Sequence, residues 1–180
     1  MLAVAVDTEA AADPLPLERV FAEHQGRVFR AAYRVTGNAQ DAEDVLQTVF
    51  LRLARREAGV GAVSNLPSYL YRSAVNTALD VLRSRRECVA LEQVDREVRP
   101  GGDGGEGFHQ AVELKAWLRG ALARLSPQAA EVFALRYLEE HDNREIARML
   151  GLSRVAVAVT LHRTRRRLQK ELRSRTGEKP

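Results

Sequence analysis

Apolar residues recur three and four positions apart through most of the chain, the period of helices with one buried face. From Leu15 to Thr36 the recurring positions are Leu17, Val20, Phe21, Val28, Phe29 and Ala32, with Gly26 as a candidate break. Gly37 and Asn38 end that element. Asp41 to Arg56 carries the strongest pattern, with Val45, Val49 and Leu53 on one face and Leu46 and Phe50 beside it. Its acids lie at the positive helix end and its arginines at the negative one. After a glycine-containing loop at 58–65, a helix is predicted over Leu66–Arg86, with Pro67 in its first turn and Ser73, Asn76 and Asp80 on a polar side. Gln110–Leu125 is helical on Val112, Ala116, Trp117, Ala121 and Leu122. Ser126 caps a following helix that has Pro127 at its first position and buries Val132, Phe133, Leu135 and Tyr137 or Leu138. No strand alternation and no internal repeat occurs.

The stretch Asp142–Leu168 reads as two helices around a tight turn. Asp142 caps the first and Glu145 reaches back to it, as in a capping box. Gly151 supplies a left-handed stop. Ser153 caps the second helix, whose inward face is Val157, Leu161 and Leu168 and whose tail carries Arg163, Arg165, Arg166, Arg167 and Lys170. This is the plan of a helix-turn-helix, whose second helix enters the DNA major groove. The same residues also fit an antiparallel helix pair with a solvated basic face.

Charge separates the chain into parts. Residues 1–86 hold eleven basic and ten acidic residues, residues 87–109 two and six, and residues 110–180 fifteen and eight. The basic surplus therefore accompanies the helix-turn-helix, which suits a polyanionic partner. Within the acidic stretch, five glycines fall in the seven positions 101–107, too few apolar groups to build a core. The expected fold is all-α: a helical domain at 14–86, a flexible acidic, glycine-rich linker at 87–109, and a second helical domain at 110–175.

Several function classes fall away. Cys88 is the single cysteine, which excludes an internal disulfide and a cysteine-based zinc site and suits a reducing, cytoplasmic setting. The opening MLAVAVDTEAAADP has no basic segment and is not read as a signal peptide. No run approaches the roughly 20 apolar residues of a membrane span, so no membrane insertion is expected. The four histidines are scattered, and no carboxylate cluster, phosphate-cradling loop or nucleophile–base pair appears. Neither an enzyme, nor a metal site, nor a cofactor is expected.

Three segments in order resemble the small two-domain extracytoplasmic-function (ECF) group of bacterial RNA polymerase sigma factors. DAEDVLQTVFLRL at 41–53 resembles their polymerase-docking helix, and YLYRSAVNTALDVLRSRR at 69–86 their helix for the minus-ten promoter element. LSPQAAEVFALRYLEEHDNREIARMLGLS at 125–153, with LHRTRRRL at 161–168, resembles their minus-thirty-five domain. The resemblance implies a subunit that binds core RNA polymerase, directs it to promoter DNA and helps melt it.

Residue by residue, it places Asp44, Gln47, Thr48 and Leu51 against the clamp coiled coil of the largest polymerase subunit. Thr48 stands where the family usually has glutamate, so one charge contact is missing. Asp41 is read as decoration of a helix N-terminus. For the minus-ten element the implied set is Tyr69, Arg72, Asn76, Asp80, Arg83 and Arg86, with Arg85 also facing phosphates and the loop Gly59–Asn65 beside a flipped base. Asn76 has both a donor and an acceptor for a base edge; bracing a helix is its other reading. Tyr69 replaces a common tryptophan and keeps a smaller stacking face. For the minus-thirty-five element the set is Ser153, Arg154, Ala158, Val159, His162, Arg163 and Arg166. Ala156, Ala158, Val159 and Thr160 replace the family's usual polar residues, which thins direct base readout and leaves apolar contact to thymine methyls and DNA shape. Arg165 and Arg167 are expected only to solubilise the helix. The acidic linker either mimics a nucleic-acid chain in the polymerase RNA path or is a plain spacer. An anti-sigma factor is the further partner implied. A sigma-like decoy that sequesters an anti-sigma factor without reading DNA is the alternative, favoured by the depleted recognition helix.

Overall fold

The computed structural model describes residues 17–55, 65–92 and 106–176, and within them every regular element is an α-helix. The N-terminal bundle is α1 (Leu17–Thr36), α2 (Ala39–Ala54) and α3 (Leu66–Glu92). The C-terminal bundle is α4 (Glu106–Ala123), α5 (Pro127–Tyr137), α6 (Asn143–Leu150) and α7 (Arg154–Thr176). The ends of the stretch 87–109 are thus helical, whereas 93–105, the proposed linker's centre, lies outside the described residues, as do the tail before Leu17 and most of the loop at 59–65.

Gly26 does not break α1. One helical glycine costs about 1 kcal/mol. Burying Val20, Val28 and Val35 on either side of it stabilises the helix by about 1.5 kcal/mol or more each. Gly37 ends α1 in the left-handed region, at φ 67°, and Asn38 then caps α2 by accepting from the Asp41 amide at 3.0 Å. Val45, Val49 and Leu53 are buried as their spacing requires, and Phe21, at the edge of the stripe, packs edge-on against Phe50. Asn65 starts α3, accepting from the Ser68 amide at 3.1 Å.

Helix α5 is buried without interruption from Ala130 to Leu135, because it sits between α3 on one side and α6 and α7 on the other. Tyr137 faces outward and Leu138 is the one partly buried. Ser126 occupies the N-cap of α5, but its side chain makes no capping bond. The buried apolar residues of the two bundles join in one cluster, so the bundles are packed together along α3, α4 and α5.

Candidate nucleic-acid interface

On α2, Asp44, Gln47, Thr48 and Leu51 lie three and four residues apart, opposite the buried Val45, Val49 and Leu53. Asp44 and Gln47 are exposed, Thr48 is half-buried, and Leu51 is 53% exposed, an apolar side chain with no place in the core. A carboxylate and an amide beside a bare leucine form a small mixed polar and apolar patch on the surface of α2. Asp41 is different. It is buried and accepts from the Arg85 guanidinium at 2.6 Å, so it ties α2 to α3, and Arg85 is spent on that pair.

The α3 residues divide by exposure. Arg86 is exposed, and Asp80 holds Arg83 in an i,i+3 ion pair at 2.7 Å. Tyr69 is half-buried. Arg72 and Asn76, one turn apart, face α5. Asn76 Nδ2 donates to Glu131 Oε1 at 2.9 Å, Arg72 Nε donates to the same oxygen at 3.2 Å, and an Arg72 NH group donates to the Met149 carbonyl at 2.6 Å. Next to them, Tyr71 meets His141 edge-on and lies under Arg27. Burial, and then the Glu139 carboxylate beside it, push the Tyr71 phenol above its ordinary range.

The helix-turn-helix has its full set of caps. Asp142 accepts from the Arg144 and Glu145 amides at 2.7 Å each, and its own amide donates to Glu145 at 2.9 Å. Those amide bonds, from Glu145 first, hold the Asp142 carboxyl below the usual range. Gly151 turns the chain at φ 66°, and Ser153 Oγ accepts from the Ala156 amide at 3.1 Å. With Val157, Leu161 and Leu168 buried, α7 turns Ser153, Arg154, Ala158, Val159, His162, Arg163 and Arg166 to the surface together. Ala156 and Thr160 are half-buried and flank this face. Val155 belongs to it and was missed: it is 72% exposed, one turn before the 42%-exposed Val159. Arg167 is not merely solvated, since it donates to Glu171 and to the Arg124 carbonyl. Glu171, held also by Arg124, has its carboxyl pKa lowered by the two guanidiniums.

The sequence comparisons divide the chain in the same order. Residues 20–88 match the family model Sigma-70 region 2, and residues 115–168 match Sigma-70, region 4. The RNA polymerase sigma-E factor of Streptomyces avermitilis is 33% identical over 161 residues, covering 89% of this chain and 87% of that protein. The ECF RNA polymerase sigma factor SigE of Mycolicibacterium smegmatis is 31% identical over 159 residues, 87% of this chain and 61% of the relative. This chain belongs to the extracytoplasmic-function sigma factors. A solved sigma factor RpoE from Bartonella quintana, in complex with the anti-sigma factor NepR, shares the fold at a TM-score of 0.50 and 20% identity, over 87% of this chain and 96% of that one.

In this sigma factor, then, α1–α3 contain the region 2 match and α4–α7 the region 4 match. Among the described residues no helix is long and apolar enough to cross a membrane, and no cluster of three or more His, Cys, Asp or Glu could hold a metal. Reading the sequence residue by residue missed Glu131. The available signal was one carboxylate inside the apolar run AAEVFAL, where a helix buried all round should have no charge without a partner elsewhere.

Proposed function

We propose that this sigma factor binds core RNA polymerase through Asp44, Gln47, Thr48 and Leu51, and melts promoter DNA with region 2. Tyr69, Arg72, Asn76, Asp80, Arg83 and Arg86 form the minus-ten surface. A base pulled from the stack needs a flat wall and hydrogen-bond partners for its edge; Tyr69 offers the first and Asn76 the second. The upstream element is met by the outer face of α7. Arg154, Arg163 and Arg166 contact phosphates or guanine edges, and Val155, Ala158 and Val159 contact thymine methyls.

The observation that carries this proposal is the α7 face: seven residues nominated from the sequence all emerge on one exposed side of a capped helix-turn-helix. An anti-sigma factor is proposed as the regulatory partner, by analogy with the RpoE–NepR complex. The decoy alternative draws on the apolar Ala158 and Val159 in that face. The test is to reconstitute the purified chain with bacterial core polymerase and to map the 5′ ends of transcripts from genomic DNA of the host. Starts that share a minus-ten motif and are lost with Asn76→Ala support the proposal. Absence of polymerase binding overturns it in favour of the decoy.

A further inference from the structure

Glu131 is 9% exposed in the middle of the apolar α5, and its hydrogen bonds run to region 2: Asn76 at 2.9 Å and Arg72 at 3.2 Å. Burying a carboxylate is unfavourable unless donors replace its water. Here those donors are supplied by the other bundle. Further ties surround this one. Arg34 of α1 donates to Glu139 at 2.6 Å, Arg72 also holds the Met149 carbonyl in the last turn of α6, and the Arg119 guanidinium of α4 lies against Gly37. The contact therefore has a defined register rather than being loose apolar adhesion.

Its chemistry matches that of the ligand proposed for the same site. A nucleobase edge or a phosphate presents acceptor oxygens and nitrogens to an arginine and an asparagine. The Glu131 carboxylate presents acceptor oxygens to the same two donors. With α5 seated, the faces of Arg72 and Asn76 that would meet DNA are covered by protein. We infer that Glu131 is an intramolecular competitor for promoter DNA, holding the free chain closed until region 4 leaves α3. This inference rests on the assignment of Arg72 and Asn76 to the minus-ten surface.

Competition of this kind lowers apparent affinity by the fraction of molecules that are open. The experiment uses the free full-length chain carrying Cys88→Ser, with spin labels on Glu43→Cys in α2 and Lys170→Cys in α7. The distance distribution is measured alongside binding of a fluorescent single strand bearing the non-template minus-ten sequence of a promoter used by the holoenzyme. The unaltered interface gives a narrow distribution and weak binding. Glu131→Ala lengthens and broadens the distances and tightens strand binding by about tenfold. Glu139→Gln, which removes the charge facing Arg34 and leaves the Glu131 bonds to Arg72 and Asn76 in place, moves both readouts the same way and less far. Circular dichroism checks helix content, and should Glu131→Ala lose helix, Glu139→Gln decides. Distances that stay short in the folded variants overturn the inference, as does opening without tighter binding. If instead Asn76→Ala leaves holoenzyme start sites unchanged, the minus-ten assignment fails, and the distance data still report whether Glu131 holds the bundles together.

Discussion

Arg85 reaches from α3 to the buried Asp41 carboxylate at the start of α2, at 2.6 Å. The pair fixes the angle between the proposed polymerase-docking helix and the proposed minus-ten helix. Removing Arg85 leaves Asp41 buried without its partner. Because Arg85 is itself half exposed, Arg85→Ala is expected to destabilise by about 1–2 kcal/mol, less than a fully buried pair. In a chain of this size that lowers Tm by about 2–8 °C. An unchanged Tm with weakened DNA binding would return Arg85 to a phosphate-contacting role.

Two glycines should respond with opposite sign to the same substitution. Gly26 is in the helical interior of α1, where an added Cβ meets only the end of the Arg30 side chain at 3.3 Å. Gly26→Ala should stabilise by about 0.5–1 kcal/mol. Gly37 has a left-handed φ of 67°, and a Cβ there would run into Arg119. Gly37→Ala should cost at least about 1–2 kcal/mol in backbone strain alone. Thermal melts of the two variants check the signs.

Thr48 is the weak point of the α2 patch. Thr48→Glu adds a carboxylate one turn from Asp44, on the side toward a basic partner. An exposed charge contact contributes about 0.2–1 kcal/mol, so polymerase affinity should rise by a factor between about 1.4 and 5. Competition against labelled parent protein for core polymerase is the readout. Weaker binding would place this helix face elsewhere in the holoenzyme.

The exposed Val155 and Val159 would give the proposed upstream contact an apolar character, which can be tested from the DNA side. Replacing thymine by deoxyuridine in the upstream element removes only a methyl group. Each contacted methyl should contribute about 1 kcal/mol. In Val155→Ala or Val159→Ala the same replacement should cost less, and that coupling is the signature of direct contact. For Arg163→Ala, uniform weakening across sequences with a salt slope reduced by about one marks a phosphate contact, and relaxed specificity at one position marks a guanine edge.

Acid and alkali should act on different parts of the fold. Glu171 and Asp142 have lowered pKa values, so their stabilisation is present above the ordinary carboxylate range and is lost as pH falls through their folded-state values. Glu171→Gln should therefore melt below the parent at neutral pH and converge with it as pH falls below the ordinary carboxylate range. Tyr71 is shifted upward, so its contribution is complete below about pH 10 and fades as pH rises through the higher folded value. Melts of the parent and Tyr71→Phe across pH should diverge least in alkali. A constant difference would remove Tyr71 from the alkaline response.

The helices, their caps and the buried faces of α2 and α7 were legible because each rests on local chemistry. Asp142, Glu145, Gly151 and Ser153 act within a few residues of one another, and Val45, Val49 and Leu53 need only the helical period. The exposure of the α7 face followed from the same period. What escaped depends on contacts between distant segments. Asp41 reads as a terminal decoration in its local sequence, and its partner Arg85 lies 44 residues on. Asn76 and Glu131 lie 55 residues apart, and no spacing rule connects them. Gly26 reads as a break on propensity alone, and the burial of Val20, Val28 and Val35 on either side of it outweighs that cost.

Helix α5 also bears on temperature. Its apolar sides join the cores of both bundles, so separating region 4 from α3 wets nonpolar surface as well as breaking the Glu131 and Glu139 pairs. Wetting nonpolar surface raises the heat capacity, and its opposing force fades on cooling. Salt screens the exposed parts of the charge pairs. The balance between shut and open chains is therefore set jointly by cold and ionic strength, two variables that reach every sigma molecule in a cell without any dedicated messenger.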